Sequence, residues 1–245
     1  TWGKPLMVST ITLQRAIGMA ATTFGRKRCI PAFHEIAMTA PVFGGDTLYA
    51  DSEVLGIDAT DHPDGGVLKV KTNVQRADGK QVASLTYDIE IYRRGRFPGD
   101  NPEARPADDP RFLAYREQAD GSLIEQYGLF FEDAQAGETF VHYPRRTFTR
   151  EEAVEHARRS FDFGRVVANL GWTDIQLPVP VFEGDTLEAE STIVEKRESK
   201  SRPNEGILTV DTRAYNQDRE LVLSYRRRLL VYRRDAETPY ARAGY

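Results

Sequence analysis

Residues 41–48 read PVFGGDTL and residues 180–187 read PVFEGDTL, identical at seven of eight positions. Proline and glycine break a sheet pattern, and Asp-Thr-Leu then launches a strand. The phrase therefore marks the same turn in two copies of one unit. The likeness continues on both sides of it. With a shift of 139, FGR at 24–26 meets FGR at 163–165, Phe33 meets Trp172 and Ile36 meets Ile175. With a shift of 140, GVLKVKTNVQRADGKQVASLTYDIEIYRR from Gly66 meets GILTVDTRAYNQDRELVLSYRRRLLVYRR from Gly206. A chain of 245 residues has room for two domains of ordinary size, and the repeat favours two.

Each copy reads as antiparallel sheet, because apolar residues recur with period two. In the first copy these are Leu48, Ala50 and Val54, then Leu68, Val70 and Val74, then Leu85, Tyr87, Ile89 and Ile91. In the second they are Leu208, Val210 and Ala214, then Tyr225, Leu229 and Val231. The last two strands of each copy are joined by RADGK at 76–80 and NQDRE at 216–220, where Asp78-Gly79 is the stronger hairpin signal. Pro5 suits a first helical position, and LMVSTITLQRAIGMAATTF after it is apolar on nearly every side, which predicts a helix buried against a sheet. TREE at 149–152 is a capping box that predicts a second helix, with Ala153, Val154 and Ala157 on its apolar face. The expected boundaries are a first module over 1–94, a proline-rich linker over 95–127 and a second module over 128–245, headed by the strand GETFVHYPRRTFT.

No apolar run approaches the roughly 18 residues of a membrane span, and the chain does not open with a basic-then-apolar leader. Cys29 is the only cysteine, so neither an internal disulfide nor a thiolate metal cluster can form. This suits a reducing cytoplasm. A net charge of −4 with both signs interspersed gives no long-range reason to bind nucleic acid or anionic lipid. The partner is expected in a pocket, as a small molecule; association with copies of itself is left open.

A long buried helix followed by antiparallel strands, duplicated, with FxGDTL before a strand and VYRR at its end, resembles the MaoC-like enoyl-CoA hydratase and dehydratase family. ANLGW at 168–172, PVFEGDTLEAES and EKRESKSRP are most similar to its double hot dog members, among them mesaconyl-CoA hydratases. The resemblance implies an α+β class: a tandem hot dog fold in which each curled antiparallel sheet wraps a central helix. The two copies lack different parts of that plan. Nothing precedes the helix of the first, and the second passes from Asp162 to FGR without a central helix. A curled sheet without its helix exposes a large apolar face. The natural protein is therefore expected to carry an N-terminal piece, and an internal piece after Asp162, beyond these residues.

The same resemblance implies hydration or dehydration of a short or branched enoyl-CoA, with coenzyme A as part of the substrate and no metal or redox cofactor. Such chemistry needs a group to activate water, a proton donor, and donors that polarise the thioester carbonyl. In the family the first two come from a segment like D-x-N-P-L-H, whose Asp lies thirteen residues after the capping threonine. From Thr149 that position is Asp162, but no N-P-L-H follows. Read alone, Asp162 is a residue closing a helix. His34, His62, His142 and His156 each read as surface or packing residues, so the catalytic histidine is not visible in this chain. For the carbonyl, the family uses amides at the start of the central helix, which here are around Ser9 and Thr10; alone, both read as caps. Lys196, Arg197, Lys200 and Arg202 suit the phosphates of coenzyme A, while the matching loop of the first copy carries Asp58, Asp61 and Asp64. Otherwise that basic loop is a solvated hairpin tip. The arginines of YRRRLLVYRR are expected to face solvent, and Cys29 has no neighbouring base to make it a nucleophile. Two other functions remain open: thioester hydrolysis on the same fold, and a non-catalytic acyl-CoA-binding subunit.

Overall fold

The computed structural model describes residues 6–59, 62–98, 115–117, 123–125, 128–129, 131–147, 149, 151, 166–233 and 236. The first copy supplies strands β1 (Lys27–Met38), β2 (Thr47–Asp58), β3 (Gly65–Arg76) and β4 (Gln81–Tyr92). Short strands β5 (Tyr115–Glu117) and β6 (Leu123–Glu125) pair with each other within the segment expected to be linker. Then come β7 (Thr139–Thr147) and the second copy, β8 (Val166–Gln176), β9 (Glu188–Glu198), β10 (Glu205–Tyr215) and β11 (Leu221–Tyr232). Nine strands form one antiparallel sheet in the order β7-β2-β3-β4-β1-β8-β11-β10-β9.

Apart from β7 that order is a palindrome of the repeat, with β1 and its equivalent β8 meeting at the centre. Their register pairs Phe33 with Ile175 and Ile36 with Trp172. Since the repeat equates Phe33 with Trp172 and Ile36 with Ile175, each pair is the mirror of the other, as required of two copies related by a local two-fold axis. The seam between the copies is thus a hydrogen-bonded strand pair.

The turn that revealed the repeat is built identically twice. The Phe43 amide donates to Asp46 Oδ2 at 2.9 Å, and the Phe182 amide donates to Asp185 Oδ2 at 2.8 Å. Gly45 and Gly184 sit at φ of 97° and 96°, where a side chain would be strained. The 76–80 and 216–220 hairpins also share one geometry, with Arg219 at φ 65° in the place of Gly79 at 79°.

All ten apolar residues assigned to the first copy's inner face are buried. All but Val54 share one core cluster with Ile11, Ala16 and Met19 of α1 (Ser9–Met19), the one α-helix whose full extent is described. The helix is shorter than the apolar run. Leu6 is held in a bridge to Phe43 and the Met7 amide donates to the Val42 carbonyl at 2.8 Å, so residues 6–8 are extended and Pro5 is not the first helical residue. The second copy's half is barer. Val42 is 3% exposed whereas its equivalent Val181 is 49% exposed, and β9 is exposed at every residue where β2 alternates.

β7 departs from expectation. It was placed at the head of the second copy, yet it pairs with β2 at the far edge of the first, from Thr47↔Thr147 to Glu53↔Thr139. The inner face there rewards it. His142 is buried, its Nδ1 3.2 Å from Thr23 Oγ1 and its Nε2 2.6 Å from Ser52 Oγ. Ser52 Oγ lies 2.6 Å from Thr72 Oγ1, which lies 3.1 Å from the Tyr87 hydroxyl. Burial pushes the His142 pKa down from 6.5 to about 4 and that of Tyr87 up to about 12. The unfolded chain therefore takes up a proton at His142 near pH 6.5 while the folded one does not until about pH 4. Stability should fall across that window by up to about 3 kcal/mol. Urea titrations at pH 7 and pH 4.5 should show this loss shrinking in His142→Gln; equal losses in both proteins would remove His142 as its source.

Candidate functional site

A cavity of about 1060 Å³ lies along the seam. Its walls come from the start of α1, the inner face of β1, the strands β8, β10 and β11, and the turn between β9 and β10. Phe33, Ile36, Trp172, Ile207 and Leu229 make it largely apolar, and none of the described residues that line it is acidic. A pocket of this size, mostly apolar with a few convergent polar groups, has the character of a small-molecule site.

Ser9 and Thr10 both line this cavity. They begin α1, where the amides of the first turn have no acceptor within the helix, and no side chain caps them. One turn on, Thr12 is 1% exposed, lines the cavity and has a hydroxyl without a hydrogen-bond partner. Threonines inside helices commonly bond back to a carbonyl four residues earlier. An unpaired one at a cavity wall was not legible from the sequence.

Of the four basic residues assigned to coenzyme A, Arg202 alone lines the cavity, and it pairs with Glu205 at 3.3 Å. Lys196 and Arg197 are exposed near the end of β9, and Lys200 is exposed in the turn that follows. None of these three lines the cavity, although Ser199 and Ser201, on either side of Lys200, do. Asp162 and His156 lie outside the described residues. His34 pairs with Asp88 at 2.8 Å, and His62 accepts from the Asp64 amide at 3.2 Å. The Cys29 thiol lies 3.5 Å from Glu90 Oε2, and its pKa is raised, first by burial and then by that carboxylate.

One of the arginines assigned to solvent is not there. Arg226 and Arg228 are exposed, but Arg227 between them points inward, is partly buried and lines the cavity. The repeat carried the signal, because position 227 is equivalent to Tyr87, which was correctly placed on the inner face.

Among family descriptions, residues 164–241 match mesaconyl-CoA hydratase. A mesaconyl-CoA hydratase of Cereibacter sphaeroides is 35% identical over 46% of this chain and 43% of its own length. A beta-methylmalyl-CoA dehydratase of Chloroflexus aurantiacus is 28% identical over 46% and 42%. The chain thus spans less than half the length of these relatives. Among solved structures, a double hot dog protein of Mycobacterium tuberculosis superposes with a TM-score of 0.60 at 17% identity, covering 94% of this chain and 83% of that one. A MaoC domain dehydratase of Chloroflexus aurantiacus gives 0.55 at 18%, covering 92% and 82%. A central β1–β8 seam, a twice-built Gly-Asp turn and these likenesses agree: the chain resembles the MaoC-like enoyl-CoA hydratase and dehydratase family, of the double hot dog type.

Proposed function

We propose that this chain carries two hot dog modules in tandem, over 1–94 and 128–245, and acts as a hydratase or dehydratase of a short or branched enoyl-CoA. The observation that carries the reading is the seam cavity. One end of an apolar chamber meets the start of a helix, and another is formed by the turn between β9 and β10, in which Arg202 lines the chamber and Lys200 is exposed. A thioester carbonyl fits the first, where amide donors and the helix dipole favour developing negative charge. The phosphates of coenzyme A fit the second. In this reading Ser9 and Thr10 frame the carbonyl, Lys196, Arg197, Lys200 and Arg202 hold the nucleotide, and Asp162 activates water.

The test is to follow the enoyl-thioester absorbance of crotonyl-CoA and mesaconyl-CoA while titrating free thiol. Hydration changes the absorbance and releases no thiol; stoichiometric thiol release makes the protein a thioesterase instead. Melting raised by coenzyme A with neither signal makes it a binding subunit. Reversing Lys196 and Lys200 to glutamate should raise KM about tenfold with little change in kcat, and added salt should mimic it in the parent, because exposed charges steer and hold the nucleotide through a screened field. An unchanged KM would remove the two lysines from the binding site.

A further inference from the structure

We infer that Arg227 is the residue that selects the acyl group, by binding a carboxylate at the end of the acyl chain remote from the thioester. The inference rests on the acyl-CoA reading given above. Two equivalent positions show what is unusual about this side chain. In the first copy Tyr87 fills the inner-face position, is 1% exposed, and its hydroxyl lies against Thr72, itself bonded to Ser52. The second copy keeps that Ser–Thr pair as Ser191 and Thr212, 2.9 Å apart, but puts a permanent cation where the tyrosine stood.

Among the described residues this cation has no ion-pair partner, and its Nε is buried without a hydrogen bond. Its neighbours Arg226 and Arg228 face solvent, and Arg226 is satisfied by Asp211 at 2.6 and 2.8 Å. The Tyr225 ring, 5.7 Å from the Arg227 guanidinium carbon, braces the group from the same face of the sheet. A guanidinium in an apolar chamber with a donor left over is costly unless something supplies an acceptor. Among the described residues the other cation lining the chamber, Arg202, already has Glu205, and none that lines it is acidic. A carboxylate restores the missing bonds, since its two oxygens match the guanidinium fork. The phosphate groups of the nucleotide are a poorer match, because the lysines assigned to them, Lys196 and Lys200, do not line the chamber. Arg227 is the residue that favours a carboxylate-bearing acyl group, of the class to which mesaconyl-CoA belongs, over an uncharged one.

The experiment compares mesaconyl-CoA, which bears such a carboxylate, with crotonyl-CoA, which does not, in the full chain and in Arg227→Gln and Arg227→Lys. The ratio of kcat/KM for the two substrates should drop at least tenfold in Arg227→Gln and recover in part in Arg227→Lys. A ratio unchanged in both variants would overturn the inference while leaving hydration intact. Calorimetry with saturated ligands, which cannot be hydrated, covers the case of a variant that does not fold. Succinyl-CoA should bind the parent at least tenfold tighter than butyryl-CoA, and equal affinities would overturn the assignment. If the parent hydrates neither substrate but prefers succinyl-CoA, and Arg227→Gln abolishes the preference, the carboxylate site stands and the hydratase reading falls.

Discussion

Gly171→Ala should destabilise the protein by roughly 3 kcal/mol or more, one of the two largest effects expected of any single change. Gly171 sits at φ 138°, which L side chains rarely adopt, in the strand that joins the two copies. It is flanked on one side by Ala37 of β1 and on the other by Arg228 of β11. A methyl group there would run into the Ile36 carbonyl oxygen, and the Ala37 Cα would lie 3.3 Å away. Neither obstacle is the far end of a flexible side chain, so relief requires the seam backbone to shift. Trp172, next in sequence, packs in the core and lines the cavity, so the shift should also disturb the site. Urea denaturation should give a lower midpoint, and KM for the thioester should rise in whatever fraction remains folded. A loss within 1 kcal/mol would mean that β1 and β8 do not meet in this register.

The other large effect belongs to chemistry. Asp162→Asn should lower kcat for hydration between about a hundredfold and ten-thousandfold with little effect on KM, as expected when a general base keeps its shape and loses its basicity. The spacing from Thr149 in the family pattern is the ground for it, and stopped-flow absorbance of crotonyl-CoA under saturating conditions is the measurement. If Asp162→Asn turns over as fast as the parent, water is activated by another group, and the thirteen-residue spacing has no mechanistic meaning in this chain. Thermal melting of the two proteins should coincide, which separates this outcome from a folding defect.

The sheet was legible because its signal is local. Alternation with period two picked out apolar residues of β2, β3 and β4 that all proved buried, though not Ser52 and Thr72 between them, and the repeated turn carried the equivalence between the copies. What the sequence concealed is non-local in each case. Helix α1 starts at Ser9 because Leu6 and Met7 are claimed by Phe43 and Val42, partners more than thirty residues away. β7 lies on β2 because two edges compete for one strand, and the contest is decided by His142 finding Ser52 and Thr23 and by Phe140 meeting the Phe24 ring edge-on at 6.2 Å. Arg227 is a different kind of miss. Three consecutive arginines look like a solvated strand, yet a strand cannot send three neighbours to one side. Aligning the run with Tyr87 would have singled out the middle one.

The hydrogen-bonded seam has a mechanical corollary for selectivity. Strands joined by main-chain bonds stand at a nearly fixed separation, so the chamber floor can neither widen nor slide when a bulkier acyl chain arrives. Helix α1, by contrast, is held against the sheet by side-chain packing, so its side of the chamber is the one that can yield. Discrimination by acyl width should therefore be steep, and evolution toward larger substrates should begin on α1, at Thr12 and Leu13, leaving Phe33 and Ile175 untouched.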